Sequence, residues 1–268
     1  MPTSDSSTSD PSIADPSTAD ETASSALPGS ADPTVLPAAT IDGKDSALVQ
    51  SMFDRVAPRY DLANAVLSLG QDAHWRRVTA LAARPAGRIV ADVAAGPGNV
   101  ARELLKEGAA HVLAIDLSHN MLKEGMKAGL PDTTWINGDA LALPLADDSV
   151  DAVTISFGLR NLPDPAAGIA EFARVLRPGG DLVIAEFAAP TNPTFARIYT
   201  DYLVAALPRV AQLVSSDAAA YTYLAESIMA WPDRATLADW MRDAGFEHVE
   251  VKNLSGGIVA LHRGVRKA

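Results

Sequence analysis

The chain has 268 residues, no cysteine and a formal charge of −11 at pH 7. That length holds one large domain or two small ones, the apolar fraction is enough for a core, and the missing thiols exclude disulfides and thiolate metal sites. The charge is uneven: residues 1–43 carry seven acids and neither Lys nor Arg, which leaves the remainder near −4 and without a basic stripe for nucleic acid.

From Met1 to about Asp42 the composition is Ser, Thr, Ala, Asp and Pro, with no aromatic and few large aliphatics. Such a segment buries too little apolar area to offset its ordering entropy, and it reads as a disordered tail over 1–43. Residues 44–268 read as the folded domain. A helical cap is expected over 45–84. Its first helix starts at Asp45 and carries Leu48, Val49, Met52, Phe53 and Val56 up to Pro58, a second covers Leu62–Leu67, and a third is capped by Asp72 and ends at Arg84-Pro85. Strands and helices then alternate. Strands are predicted over Arg88–Val93, His111–Ile115, Thr133–Ile136, Val150–Phe157 and Asp181–Phe187. Helices are predicted over Val100–Lys106, Ser118–Ala128 and Pro165–Leu176, the last closed by Arg177-Pro178-Gly179-Gly180. A mostly helical insertion over 194–230 is broken at Pro208, and Asp233 caps a helix that Gly245 ends. Strands Phe246–Asn253 and Ile258–His262 close the chain around Leu254-Ser-Gly256-Gly257. Alternation of this kind predicts an α/β fold, a mostly parallel seven-stranded sheet with helices on both faces and a C-terminal antiparallel hairpin. That is the Rossmann-like layout of class I methyltransferases. No run of eighteen apolar residues occurs and the start lacks a secretory pattern, so a cytoplasmic protein is expected.

Strand, glycine turn and helix meet at Asp92-Val-Ala-Ala-Gly96-Pro97-Gly98. Glycines let a ligand approach the backbone, and the helix start offers free N–H groups. Gly96-Pro-Gly98-Asn-Val-Ala101 satisfies the dinucleotide pattern, and Asp116 closes the next strand where a ribose-binding carboxylate belongs. Either a nicotinamide dinucleotide or S-adenosylmethionine fits that much. Asp92 separates them, because a negative charge beside the loop opposes a pyrophosphate and favours an ammonium and a sulfonium. Gly138-Asp139-Ala140 after the third strand adds an acid where an adenine amino group would be received. S-adenosylmethionine is therefore the expected cofactor. The five histidines, His74, His111, His119, His248 and His262, have no metal spacing, although His119 lies near Asp116.

Five stretches make the chain resemble the ubiquinone/menaquinone-biosynthesis C-methyltransferase family between about Ser51 and Gly264. They are Met52-Phe-Asp54 through Tyr60-Asp61-Leu-Ala-Asn64 to Gly70; Val153-Thr-Ile-Ser156-Phe-Gly158-Leu-Arg160-Asn161; Arg174-Val-Leu-Arg-Pro-Gly179-Gly180 running on to Glu186-Phe187; Tyr223-Leu-Ala-Glu226-Ser227-Ile228; and Asn253 through Gly256-Gly257 to His262-Arg-Gly264. The resemblance implies methylation of 2-demethylmenaquinol to menaquinol, the last step of menaquinone biosynthesis. The Ser68-Leu-Gly-Gln71-Asp72 and Trp231-Pro-Asp233 wording is most like actinobacterial members. Methylation of a 2-polyprenyl-6-methoxy-benzoquinol is the alternative within the family, and another small-molecule methylation the alternative outside it. The chain departs from the family at Pro97, where Thr is usual, at Asp72, where many members have His, and at Ala63, where many have Met.

The resemblance also implies site residues. Tyr60, Asp92, Gly96, Pro97, Gly98, Asp116, Asp139, Ala140 and Ser156 would hold the cofactor. Arg160, Asp61 and Asn161 would be catalytic, and Asn64, Tyr202 and Leu203 would meet the substrate. Removing a quinol proton makes the adjacent ring carbon nucleophilic. Arg160, always protonated, suits a developing phenolate, whereas Asp61, a water on it or a histidine would take the proton. The partner is a prenylated naphthoquinol, which requires an apolar entrance. Phe53, Val56, Leu62, Leu67 and Leu69, with Leu203, Leu207, Val210 and Leu213 of the insertion, are candidates, and peripheral membrane contact would follow. Monomer and homodimer both stay open.

Overall fold

The computed structural model describes Ser51, Asp54, Ser68, residues 70–202 and residues 218–268. The tail over 1–43, the helices expected before residue 68 apart from helical Ser51 and Asp54, Tyr60, Asp61, Asn64, Leu203 and the break at Pro208 lie outside the described residues. In chain order the elements are α1 (Asp72–Ala82), β1 (Ile89–Val93), α2 (Asn99–Lys106), β2 (His111–Asp116), α3 (His119–Met126), β3 (Thr133–Asn137) and β4 (Val150–Ser156). A 3-10 turn over Leu159–Asn161 leads to α4 (Pro165–Val175), β5 (Leu176–Phe187), α5 (Pro193–Asp201), α6 (Ala218–Met229), α7 (Arg234–Asp243), β6 (Phe246–Leu254) and β7 (Val259–Arg266).

The strands form one seven-stranded sheet in the order β3-β2-β1-β4-β5-β7-β6. Only β7 runs against its neighbours, pairing Phe187 with Val259 on one side and Leu254 with Val259 on the other. The parallel core strands are apolar almost throughout because helices cover both faces. Period-two alternation divides them cleanly. Ala91, Val93, Val153, Ile155, Leu182 and Ile184 meet Phe172 of α4 and Met241 of α7 on one face. Val90, Val112, Ala152, Val183 and Ala185 meet Trp75 of α1 and Leu104 of α2 on the other. Each fully buried large side chain contributes about 1.5–3 kcal/mol, so the two layers commit the register.

Two sequence expectations are corrected. Gln71, not Asp72, precedes the first turn of α1, and it makes no side-chain cap. Asp72 is the first helical residue instead, accepting from the Ser68 hydroxyl at 3.2 Å and pairing with Arg76 at 2.9 Å. Arg177-Pro178-Gly179-Gly180 is not a connection between helix and strand but part of β5, which starts at Leu176. The ladder jumps there from Val150–Leu176 to Ala152–Asp181, a bulge that Gly179 permits at φ 76°. Elsewhere Asp233 caps α7 by accepting from Thr236, as its position before an apolar repeat predicts, and Asp164 caps α4 in the same way by accepting from Ala167.

Candidate active site

The sheet reverses its order of growth between β1 and β4, and open α/β sheets leave a crevice at the carboxyl ends of strands at that point. A cleft partly open to solvent lies there, lined by residues at the ends of, and in the connections after, β1, β2, β3 and β4. The connection after β1 turns through three left-handed residues, Ala94 (φ 52°), Gly96 (φ 55°) and Gly98 (φ 79°). Gly98 opens α2, and a Cβ on it would stand 2.4 Å from Cη2 of Trp135. Glycine is therefore needed twice over at position 98, for the dihedral and for the indole.

Asp116 ties two walls of the cleft together. Its Oδ2 accepts from the Gly96 amide and its Oδ1 from the Ser118 amide, both at 2.8 Å. Burial raises its pKa above the ordinary carboxylate value, and the neighbouring Asp54 carboxylate adds to the rise, while the two amides oppose it. Ser118 caps α3 by accepting from Met121 and donates at 2.5 Å to Oδ1 of Asp54. Asp139 is exposed at the mouth, its Oδ1 held by the Leu141 amide at 2.9 Å. The buried Oγ of Ser156 lines the cleft without a hydrogen-bond partner in the described structure. A buried hydroxyl of that kind is costly unless something else satisfies it.

Asp92 is 1% exposed and does not line the cleft. It sits in the middle of the sheet, opposite Ala114 and Thr154, with Oδ1 accepting from the Thr154 hydroxyl at 2.7 Å. Its other oxygen is buried with no partner of ordinary geometry. Burial pushes this carboxyl up to about 7 from 3.8, against the opposing pull of the Thr154 hydroxyl and the Ala101 amide. Asp92 lies in β1 ahead of the glycine turn, and Ser156 ends the neighbouring β4.

Arg160 is 5% exposed and is not in the lining of the cleft. Its Nη1 meets Oε1 of Glu186 at 3.1 Å and also the Phe157 carbonyl, its amide donates to Oε2 of Glu186 at 3.3 Å, and its Nε donates to Ser227 of α6 at 3.3 Å. The guanidinium also stands 5.1 Å over the Phe187 ring. Next to it, Asn161 lines the cleft and accepts from the Tyr223 phenol at 3.2 Å. Asn161 thus faces the cleft on one side and α6 on the other. Burial raises the phenols of Tyr199, Tyr202 and Tyr223 above their ordinary values. Phe157, itself left-handed at φ 57°, joins Trp75 and Phe187 in an aromatic cluster with centroids 4.9–6.4 Å apart.

Of the residues singled out from the sequence, Gly96, Asp116, Asp139, Ala140, Ser156 and Asn161 line one cleft. Pro97, Gly98 and Asp92 are not in its lining, and Arg160 and Tyr202 contact α6 and α5 through Ser227 and Tyr199. His119 is exposed at the start of α3. Among the described residues no group of acids and histidines is arranged for a metal, and no helix is long and apolar enough to cross a membrane. Sequence reasoning missed Asn137, whose amide donates to the carbonyls of Asp116 and Leu117 at 2.9 Å each. It also missed the bond between Asp54 and Ser118 and the role of Glu186 as the counterion of Arg160.

Residues 41–266 match the ubiE/COQ5 methyltransferase family. Among curated proteins, the chain is 52% identical over 221 residues to a demethylmenaquinone methyltransferase of Renibacterium salmoninarum, covering 82% of this chain and 92% of that protein. A demethylmenaquinone methyltransferase of Mycolicibacterium paratuberculosis is 56% identical over 220 residues, covering 81% and 94%. Among solved structures, a SAM-dependent methyltransferase of Thermotoga maritima superposes with a TM-score of 0.58 at 21% identity, over 81% of this chain and 99% of that one. The [4+2]-cyclase SpnF superposes at 0.61 with 19% identity, over 85% and 99%. These two likenesses are of fold alone.

Proposed function

The chain belongs to the ubiE/COQ5 methyltransferase family, and we propose that it is an S-adenosylmethionine-dependent C-methyltransferase converting 2-demethylmenaquinol to menaquinol. The observation that carries the substrate is identity of 52–56% with demethylmenaquinone methyltransferases along more than four-fifths of the chain. The cleft supports the cofactor: a left-handed glycine turn, an acid that closes β2, an acid after β3 and the unsatisfied buried hydroxyl of Ser156 suit a cationic nucleoside.

The cofactor's sulfonium supplies an activated methyl group. This chain's residues have the remaining tasks. The Gly96 turn, Asp116, Asp139, Ala140 and Ser156 would bind the cofactor, with Tyr60 added from the N-terminal stretch. Asp92 would favour its positive charge from beneath. The quinol would lie toward α5 and α6, met by Asn64, Tyr202 and Leu203. Loss of its hydroxyl proton, to Asp61 or a water on it, sends electron density onto the ring carbon. Arg160 and Asn161 support the phenolate that develops, and most of the rate enhancement is alignment and electrostatic support. Phe195 and Ile198 of α5, 36% and 60% exposed, suit peripheral contact with the lipid surface that dissolves such a quinol.

The test is methyl transfer from S-adenosylmethionine to a chemically reduced demethylmenaquinone analogue, with a 2-polyprenyl-6-methoxy-benzoquinol in a parallel reaction. Ring-methylated naphthoquinol identified by mass spectrometry is the expected product. Product only from the benzoquinol would move the substrate assignment, and no product from either would overturn it.

A further inference from the structure

We propose that Glu186 is a positioning residue for the methyl transfer: it fixes the orientation of Arg160 and sets the net charge that Arg160 presents to the quinol oxygen. The inference rests on the quinol-methylation reading above.

Glu186 ends the core of β5 beside β4, and it is 1% exposed. Both of its oxygens are engaged, Oε1 with Nη1 of Arg160 and with the Phe187 amide at 2.8 Å, Oε2 with the Arg160 amide. One carboxylate therefore grips the backbone and the side chain of the same arginine. Such a grip removes both the hinge and the swing of the residue. From the other side, Ser227 of α6 accepts from Nε while donating to the Leu224 carbonyl, and the Phe187 ring supports the guanidinium plane. A buried ion pair is a poor device for stability, since an apolar pair of equal volume does as well. Its cost is better explained by a requirement for a fixed cation at this place. The titratable groups that face the pair among the described residues are Tyr199 of α5 and Tyr223 of α6, with Tyr202 stacked 6.4 Å from Tyr199. All three are neutral phenols across the working range of pH, so the charge at this end of the strands is decided by Arg160 and Glu186 alone among those residues.

With Glu186 ionised the pair is neutral overall. Removing its charge leaves Arg160 as a net cation, which lowers the pKa of a hydroxyl bound beside it. Glu186→Gln is therefore expected to lower kcat at least tenfold through lost orientation, while the rising limb of kcat/KM against pH moves down by about one unit. The affinity for S-adenosylmethionine, measured by calorimetry, stays within twofold, because Glu186 does not line the cofactor cleft. Glu186→Asp keeps the charge with a shorter reach. It lowers kcat but leaves the limb in place. In the double variant Arg160→Gln/Glu186→Gln no buried charge is stranded, and its kcat equals that of Arg160→Gln alone because Glu186 acts through Arg160.

A Glu186→Gln enzyme with kcat within twofold of the parent, or with an unmoved limb, would overturn the proposal. So would losses that multiply in the double variant. Should Glu186→Gln fail to fold in a melting assay, the Asp and double variants decide, and unchanged kcat in Glu186→Asp counts against the idea. A parent enzyme inactive on both quinols overturns the substrate reading and this proposal with it, whereas an active parent with an indifferent Glu186 overturns this proposal only.

Discussion

Asp92→Asn tests the electrostatics of the sheet centre directly. In the folded chain the Asp92 carboxyl titrates at about 7, against 3.8 when solvated. Between those values the native state keeps a proton that the unfolded chain has released, so native stability falls as pH rises from about 4 to about 7 and levels off above. From pH 5 to pH 8 the unfolded carboxyl is already ionised. The native one holds most of its proton until about 7, so the loss accumulates mainly between 5 and 7, and at about 1.4 kcal/mol per unit it is about 2–3 kcal/mol. Asn cannot ionise. It keeps an oxygen for the Thr154 hydroxyl, which now donates at 2.7 Å. Its amide nitrogen replaces the oxygen that has no partner, a pH-independent cost of about 1–3 kcal/mol that cancels when one pH is compared with another. Urea unfolding of both proteins at pH 5, 6, 7 and 8 is the assay. The stability of the variant relative to the parent should climb by about 2–3 kcal/mol across the series. Parallel pH profiles would show that Asp92 is ionised in the native state throughout, and the reasoning from its burial would fail.

Two further substitutions probe the frame of the site. Gly98→Ala places a methyl group 2.4 Å from Trp135 at φ 79° and should cost about 2–4 kcal/mol in thermal unfolding together with cofactor affinity; adding Trp135→Leu should return the steric part but not the dihedral part. Asp181 is fully buried and gathers Arg84, Arg88 and Arg263 at 2.6 Å each. Asp181→Asn should cost about 3–5 kcal/mol in denaturant unfolding and leave cofactor affinity measured by calorimetry unchanged, since this clamp sits just after the bulge of β5 and does not line the cleft.

The central strands were legible because they are short, largely apolar runs, and the cap at Asp233 was legible because its signal is local. The cleft was legible for the same reason: Gly96, Asp116, Asp139 and Ser156 each sit at a strand end, and strand ends converge in this topology. The errors came where local chemistry has two outcomes. Arg-Pro-Gly-Gly can leave a helix or bulge a strand, and only pairing with β4 decides. Asp72 satisfies the cap preference equally well as a first-turn acid paired with Arg76. What stayed hidden are partners far apart in the chain. Asp54 and Ser118 are 64 residues apart, and the Trp75 indole donates to Ser255 across 180. No periodicity records such pairs. Arg160 was read as the phenolate's partner with no account of its own counterion, although a buried guanidinium demands a carboxylate and Glu186 is the acid that ends the adjacent strand.

The strand order has a consequence for how proteins of this shape diversify. The connections that build the cleft all leave β1, β2, β3 and β4, one half of the sheet, whereas α5, α6 and the reversed β7 hang from the β5 side. Leu159–Asn161 marks the seam between the halves, with Asn161 touching both. On the proposed function, mutations in the second half can reshape what is accepted for reaction without disturbing what is held for it. Selection can therefore exchange the acceptor chemistry in many small steps, each leaving the donor half in working order.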